Sequence, residues 1–401
     1  MNTNAETLMI LGSGLMQKSA YMQAKELGLN IVGVDPGDKA CCKKIADIYY
    51  DYDLGDISKL KDVVNKHSVT GVMTLAADYP ISSIGQLNDE YGFSGISYEV
   101  AKIVTNKSKM REVVKKFNVK CPKWTLVANI NNLCDFDFDI NKTSPIIVKP
   151  VDSSGGRGVT FLNKGSEVFL MEEAIRYANN FSKAGQVIVE EFVSGSEFSA
   201  ETVTFQGVTQ IISITEKITS QEPYFMEIGH NVPYQFDEIE NKVVEFFIEK
   251  VIQATGINNS PAHIEFKMRD GEPVLIEVGA RLGGGFITTD LVPLATGYNM
   301  VSAAIMLSLG RKPELQKTLH RAASIRFFIP SPGCIKSIKG FSDVKNINGV
   351  SSIFCDYKIG EIIPVIRDAS GRKAYIIGVA ESLEDVKFLL DTAASSILIE
   401  T

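Results

Sequence analysis

Short apolar runs and amphipathic stretches alternate along the first hundred residues. TLMILGSG, the helically patterned LMQKSAYMQAKELG and the apolar NIVGVD follow one another between residues 7 and 35, which is the strand, helix, strand unit of a parallel sheet. Weaker copies at Ala46 to Tyr52, Ile57 to His67, GVMTLAAD and Ile84 to Tyr91 predict one doubly wound domain. NKSKMREVVKKFN then sets Met110, Val113, Val114 and Phe117 at helical spacing, and Pro122 ends that helix. From Pro145 the texture changes to strands and Gly-rich turns, with helices predicted over Glu167 to Phe181 and Glu238 to Thr255 and a strand pair in AHIEFKM and PVLIEVGAR. Past about residue 312 the pattern reads as a small separate unit closing on a helix near Leu383 to Ala394. The fold class is therefore α/β with α+β lobes. The expected units are 1–105, 106–311 with a lid lobe at about 125–192, and 312–401.

Charge narrows the function. Forty-one Lys and Arg against 48 Asp and Glu give a net charge of −7 without a basic block, so neither a nucleic-acid groove nor an anionic membrane surface has an electrostatic footprint. Six Cys without CxxC spacing speak against a disulfide framework and structural zinc, and point to the cytoplasm. Leu291 to Gly310, the longest uncharged run, contains Pro293, Gly297 and Asn299 and reads as a loop and a buried helix, not a span.

Three strings carry candidate chemistry. Strand periodicity puts His263, Glu265 and Lys267 on one face and Glu277 on the matching face of the next strand only if the connecting loop holds an odd number of residues. A three- or five-residue loop around Asp270-Gly271 is therefore expected, with two carboxylates that repel unless a cation lies between them. IIVKP delivers Lys149 to the glycine-rich Ser153 to Gly158, where backbone N–H groups can approach phosphate oxygens; Lys precedes the glycines, so this is not a Walker loop. VIVEEFVSGSEFSAE supplies adjacent carboxylates and Glu197, suited to ribose hydroxyls or equally to an exposed acidic hairpin. Gly12-Ser13-Gly14 and Asp35 begin a dinucleotide fingerprint, but Gln17 stands where its third glycine belongs, which weakens a dehydrogenase reading. Single His residues are read as structural (His263) or as a solvated helix end (His67), and Trp124 as core.

In this order the strings resemble the ATP-grasp superfamily of carboxylate-amine ligases over nearly the whole chain, most closely the L-amino-acid ligase and biotin-carboxylase-like branch. The resemblance implies ATP and Mg²⁺, with Mn²⁺ as a substitute. Lys107 and Lys149 would contact the ATP phosphates, and Ser153, Ser154, Gly155, Gly156 and Gly158 would form the lid over them. Glu190, Glu191 and Val193 would line the adenine, Glu197 the ribose, and Glu265 and Glu277 the metal. Arg281, with Lys149 catalytic, would steady the phosphorylated substrate, with Gly284 beside it and Glu227 and His230 in the amino-substrate pocket. Gly279 departs from the Asn that many members carry, and Leu282-Gly283-Gly284-Gly285 departs from the run typical of glycinamide ribonucleotide synthetases. The implied activity is ATP-dependent amide formation through an acyl phosphate on small carboxylate and amine substrates, in a homodimer; the alternatives are a purine-pathway ligase of the phosphoribosylglycinamide synthetase type and a nucleotide-responsive binding protein.

Overall fold

The computed structural model describes residues 5–37, 40–130, 140–314 and 316–401; Cys134 lies outside them. Three principal sheets organise the chain. The first is parallel, in the order Ile48–Tyr50, Asn30–Val34, Thr7–Leu11, Gly71–Met73, as the opening alternation predicts. Gln17 fills the space a third fingerprint glycine would leave open: its amide donates to Thr74 Oγ1 at 3.2 Å and accepts from the Leu75 N–H at 2.8 Å, tying the first helix to the end of the fourth strand. A Cβ on Gly12 would stand 3.3 Å from that side chain.

The second sheet has eight strands, running from the hairpin Ser260–Arg269 and Glu272–Gly279 through Glu197–Phe205, Val208–Thr219 and Glu227–Val232 to Ala322–Phe327, Ala374–Ala380 and Val350–Cys355. Residues on both sides of position 312 thus share one hydrogen-bonded sheet. Period-two alternation divides its faces. Phe198, Ala200, Ile214, Ile264, Phe266, Leu275 and Val278 bury against Val244, Phe247, Ile248 and Val251 of the helix Glu238–Thr255. The opposite face carries Glu197, Ser199 and Glu201 beside Lys267, Glu265 and His263, with Lys217 and His230 beyond them.

The hairpin departs from expectation in an instructive way. Its loop is the two-residue Asp270-Gly271, with φ of 54° and 76°, as a tight primed turn requires. An even loop ought to put Glu265 and Glu277 on opposite faces. A β-bulge after Glu265 absorbs Ile276, so Phe266 pairs with Leu275 while Glu265 pairs with Glu277. The bulge restores the shared face that the turn alone would have broken.

The third sheet is antiparallel, in the order Trp124–Val127, Val187–Glu191, Ile146–Pro150, Thr160–Leu162, and covers its core with the helix Val168–Asn179. Trp124 sits half-buried on its edge and not in the core. Helices Val292–Thr296 and Met300–Ser308 fill the apolar stretch after the hairpin; among the described residues no single helix is long and apolar enough to cross a membrane.

Phe266 is fully buried among Phe198, Phe236 and Phe247 under the polar strand face. Replacing it with Ala is expected to lower unfolding stability by about 3–5 kcal/mol, the cost of an aromatic-sized cavity. Denaturant titration checks this, and a loss under ~1 kcal/mol would mean that the sheet and helix do not depend on this contact.

Candidate active site

The lid sheet and the polar face of the eight-stranded sheet enclose a cleft of about 230 Å³. Most of the sequence-identified residues meet there: Lys107, Lys149, Ser153 to Gly156, Glu190, Glu191, Val193, Glu197, Glu227, Glu265, Glu277 and Arg281. Gly158, His230 and Gly284 lie outside its lining. Gly158 adopts a φ of +75° against Phe181 and Pro150, where a Cβ would come within 2.9 Å of each. Gly284 has open space about it, and His230 is fully buried.

Local capping places the first cation. Asn106 accepts the Lys109 N–H at 3.1 Å and starts the helix Lys107–Lys116, so Lys107 emerges at its first residue. The Lys107 ammonium donates to the Ser153 carbonyl at 2.7 Å and pairs with Glu277 at 3.1 Å. One turn along the same helix, Arg111 is wholly buried and pairs with Glu190 at 2.8 Å; Lys149 reaches the other oxygen of Glu190 at 2.7 Å. Burial opposes the charge on Glu190, yet Arg111 and Lys149 outweigh it and bring its pKa to about 2. Burial pulls the Lys149 pKa down, and Glu190 opposes that pull. The carboxylate of Glu190 thus holds Lys149 while the residue lines the cleft; Arg111, four residues after Lys107, was missed although that spacing puts both on one helix face.

The floor is a compensated array of charges. Lys217, buried and unnoticed in ITEKIT, touches Glu227 at 2.7 Å, Glu197 at 2.9 Å and Glu265 at 3.2 Å. Burial alone would lower the Lys217 pKa, but the three carboxylates raise it well above the usual lysine range. His263 is part of this array and not a bystander: its Nδ1 lies 2.6 Å from Glu201 and its Nε2 2.9 Å from Glu265. Ionised carboxylates only accept, so both ring nitrogens donate and the ring is cationic. Burial works against that charge, yet Glu201 and Glu265 raise its pKa to about 9. His230 takes the opposite state, because burial pushes it down to about 3 and leaves it neutral, its Nε2 3.6 Å from Glu227. Glu227 is held at about 2: its burial is overcome by Lys217 first, with Arg372 also beside it at 3.3 Å.

Arg281 forms a two-pronged pair with Asp78, at 2.7 and 2.9 Å. Asp78 ends GVMTLAAD, at the carboxyl end of a parallel strand where ligands of open α/β sheets bind; that position was the available signal for it. Burial disfavours the Asp78 carboxylate, but Arg281, Lys107 and the Ser154 side chain keep its pKa low. A Cβ at Gly279 would stand 3.2 Å from the Arg281 guanidinium carbon, a close contact that a small shift of the arginine would relieve. His67 is the last residue of the helix Ile57–His67, as expected, and is half-buried there with its Nε2 2.8 Å from the Tyr50 hydroxyl.

Two opposed carboxylates, Glu265 and Glu277, suit Mg²⁺, which is commonly held by one or two protein carboxylates together with substrate phosphates. Among the described residues no cluster of three or more His, Cys, Asp or Glu forms a complete protein cage, so a nucleotide would have to complete the coordination. Lysines on one wall, paired carboxylates on the floor and a glycine-rich loop above can hold a phosphorylated nucleotide and neutralise charge developing on its phosphates.

Residues 142–290 match the ATP-grasp domain model, and residues 326–401 match the model of L-amino acid ligase C-terminal domain 2. Dapdiamide A synthase of Enterobacter agglomerans is 27% identical over 248 residues, 59% of this chain and 58% of that protein, less than two thirds of its length. In overall fold the chain is similar to an L-amino acid ligase from Bacillus licheniformis, with a TM-score of 0.82 at 22% identity and 98% of each chain covered. It is also similar to a phosphoribosylglycinamide synthetase from Anaerococcus prevotii, with a TM-score of 0.75 at 24% identity and 99% of each chain covered. With these matches spanning the lid, the carboxylate hairpin and the C-terminal strands, the chain carries an ATP-grasp domain over residues 142–290 and a C-terminal domain of the L-amino acid ligase type over residues 326–401.

Proposed function

We propose that the protein joins the carboxylate of one amino acid to the amine of another, using ATP and releasing ADP and phosphate. The observation that supports this most is the opposition of Glu265 and Glu277 in one cleft with Lys107, Lys149 and Arg281. Lys107 and Lys149 would bind the phosphates from one side, with the N–H groups of Ser153 to Gly156 above. Glu265 and Glu277 would hold Mg²⁺, which supplies charge neutralisation to the transferring γ-phosphoryl group. The substrate carboxylate takes that phosphoryl group and becomes an acyl phosphate. The amine then attacks its carbonyl carbon, and the C–O bond to phosphate breaks as the amide forms. Arg281, kept in place by Asp78, would bear the oxyanion of the tetrahedral intermediate. Ionised Glu227, which lines the cleft, suits an incoming ammonium group, while His230, buried behind it and held neutral with a pKa of about 3, adds no competing positive charge. The lid excludes water that would otherwise hydrolyse the acyl phosphate.

Amino acids are favoured over phosphoribosyl acceptors by the charge balance. Lys217, Arg281 and Arg372 each already pair with a carboxylate, so a phosphomonoester on that side would have to displace Glu or Asp partners. Phosphate release from ATP and Mg²⁺ across a matrix of paired amino acids tests the reading, with phosphoribosylamine plus glycine as the control pair. Turnover with amino-acid pairs is expected, and Glu227→Ala should lower it; activity with the control pair alone would replace this reading by a purine-type ligase.

Glu277→Gln is expected to cut kcat by about 10²- to 10³-fold by removing half of the cation-holding pair. Circular dichroism should show an intact fold, and thermal melting without metal a modestly lower stability, since the buried Lys107 ammonium loses its carboxylate partner. Near-normal turnover in this variant would make the hairpin merely structural.

The same charges set a stability window. The His263 pKa is raised to about 9, so its contribution is complete below the unfolded value near 6.5 and is lost as pH rises through about 9. Glu190 and Glu227, lowered to about 2, contribute above about 4.5 and lose that contribution as pH falls toward 2; neutral His230 also loses its contribution on acidification, between about 6.5 and 3. Stability should therefore peak near pH 6.5. Denaturant midpoints measured from pH 4 to 10 check this, and His263→Gln should flatten the alkaline limb while leaving the acid limb in place.

A further inference from the structure

Beneath the cleft floor lies a second tier of polar side chains outside the cleft lining. Glu201 and His263 are both buried on neighbouring strands and stand directly opposite each other in register. The imidazole joins two carboxylates through its two nitrogens, Nδ1 to Glu201 Oε1 at 2.6 Å and Nε2 to Glu265 Oε1 at 2.9 Å. Ser199 Oγ donates to the same Glu201 oxygen at 3.1 Å, fixing that carboxylate from a second direction. A ring anchored at both nitrogens has no freedom to rotate, and the glutamate at its far end inherits that restriction.

The neighbouring backbone leaves room for this arrangement. A Cβ on Gly283 would lie 2.7 Å from His263 Nδ1 and 2.8 Å from Glu201 Oε2, so any side chain at that position would push the pair apart. Residue 279, directly opposite His263, is also glycine. On the cleft side, Lys217 approaches Glu265 at the same Oε1 that His263 holds. Both contacts therefore fall on one oxygen, which leaves Oε2 for a cation shared with Glu277.

We propose that Glu201 and His263 are positioning residues for the metal site, Glu201 orienting His263 and His263 presenting the free oxygen of Glu265 toward Glu277. The proposal rests on the reading of Glu265 and Glu277 as metal ligands. Partners behind a ligand characteristically tune metal affinity by about 10- to 100-fold, because they hold the ligand in its binding geometry before the metal arrives. A free glutamate side chain must instead give up rotamer freedom on each binding event.

The test uses the full-length protein with Mn²⁺ as a paramagnetic probe, titrated by EPR in the presence of a non-hydrolysable ATP analogue, beside the Mg²⁺ dependence of ADP formation. Glu201→Gln keeps the shape of the side chain and removes its charge; His263→Gln keeps a single donor. Each is expected to raise the Mn²⁺ Kd and the half-saturating Mg²⁺ concentration about 10- to 100-fold. kcat at saturating Mg²⁺ should stay within about threefold, a split that general loosening of the fold would not produce. Folded variants with unchanged Mn²⁺ affinity would overturn the proposal if Glu265→Gln weakens Mn²⁺ binding, as would a fall in kcat alone. Unchanged Mn²⁺ affinity in Glu265→Gln and Glu277→Gln would instead remove the metal reading itself, and this proposal with it.

Discussion

A carboxylate withdrawn from water costs several kcal/mol unless a cation or a set of donors meets it, and the cleft of this protein is organised around that requirement. Strand alternation concentrates Glu197, Glu201, Glu265 and Glu277 on one sheet face, while Glu190 and Glu227 approach from neighbouring strands. Each is answered by a particular cation: Glu190 by Arg111 and Lys149, Glu277 by Lys107, Glu201 by His263, and the remaining three by Lys217. Moving one of these groups leaves another unpaired in a low dielectric, so the array acts as a unit. Polarity and the binding of a phosphorylated ligand then become one problem, since the proposed nucleotide and its metal would enter by exchanging partners within this set.

Exchange is simplest where a lysine has a second anchor. Lys107 holds both Glu277 and the Ser153 carbonyl at the root of the glycine-rich loop. It joins the floor to the roof, and a phosphate arriving beneath the loop would compete with Glu277 for it. Lys149 differs: Glu190, itself fixed by Arg111, holds it from behind, so it presents a fixed charge. One lysine is free to respond and the other is held in place, a division that follows from burial and helix position.

Much of the fold was legible because hydrophobic periodicity survives in every long element: the opening parallel unit, the helix Glu238–Thr255 and the carboxylate hairpin all lie where their patterns put them. The site was legible where a residue type sits in a distinctive string, as with Lys149 before its glycines. Reading failed where chemistry depends on pairing across strands. Lys217 has an unremarkable local context and gains meaning only from three carboxylates on other strands, one of them about 50 residues away. His263 was dismissed for lack of a second histidine at metal-ligand spacing, yet its partners are acidic and belong to a different logic. The hairpin loop was misjudged because parity counting assumes a regular ladder, and the bulge at Ile276 breaks that assumption.

The eight-stranded sheet also has a history in time. Glu227–Val232 pairs on one side with the preceding strand, but its other neighbour, Ala322–Phe327, follows about 90 residues later in the chain. At ~5–20 residues per second, synthesis leaves that strand an open edge for several seconds. During this interval the nascent chain presents Gly229, His230 and Asn231 with unpaired backbone groups, a template for pairing with another copy. The residue that sits neutral behind the cleft in the finished molecule thus lies on an edge that waits for a later strand, and that strand lies outside the segment matched as the ATP-grasp domain.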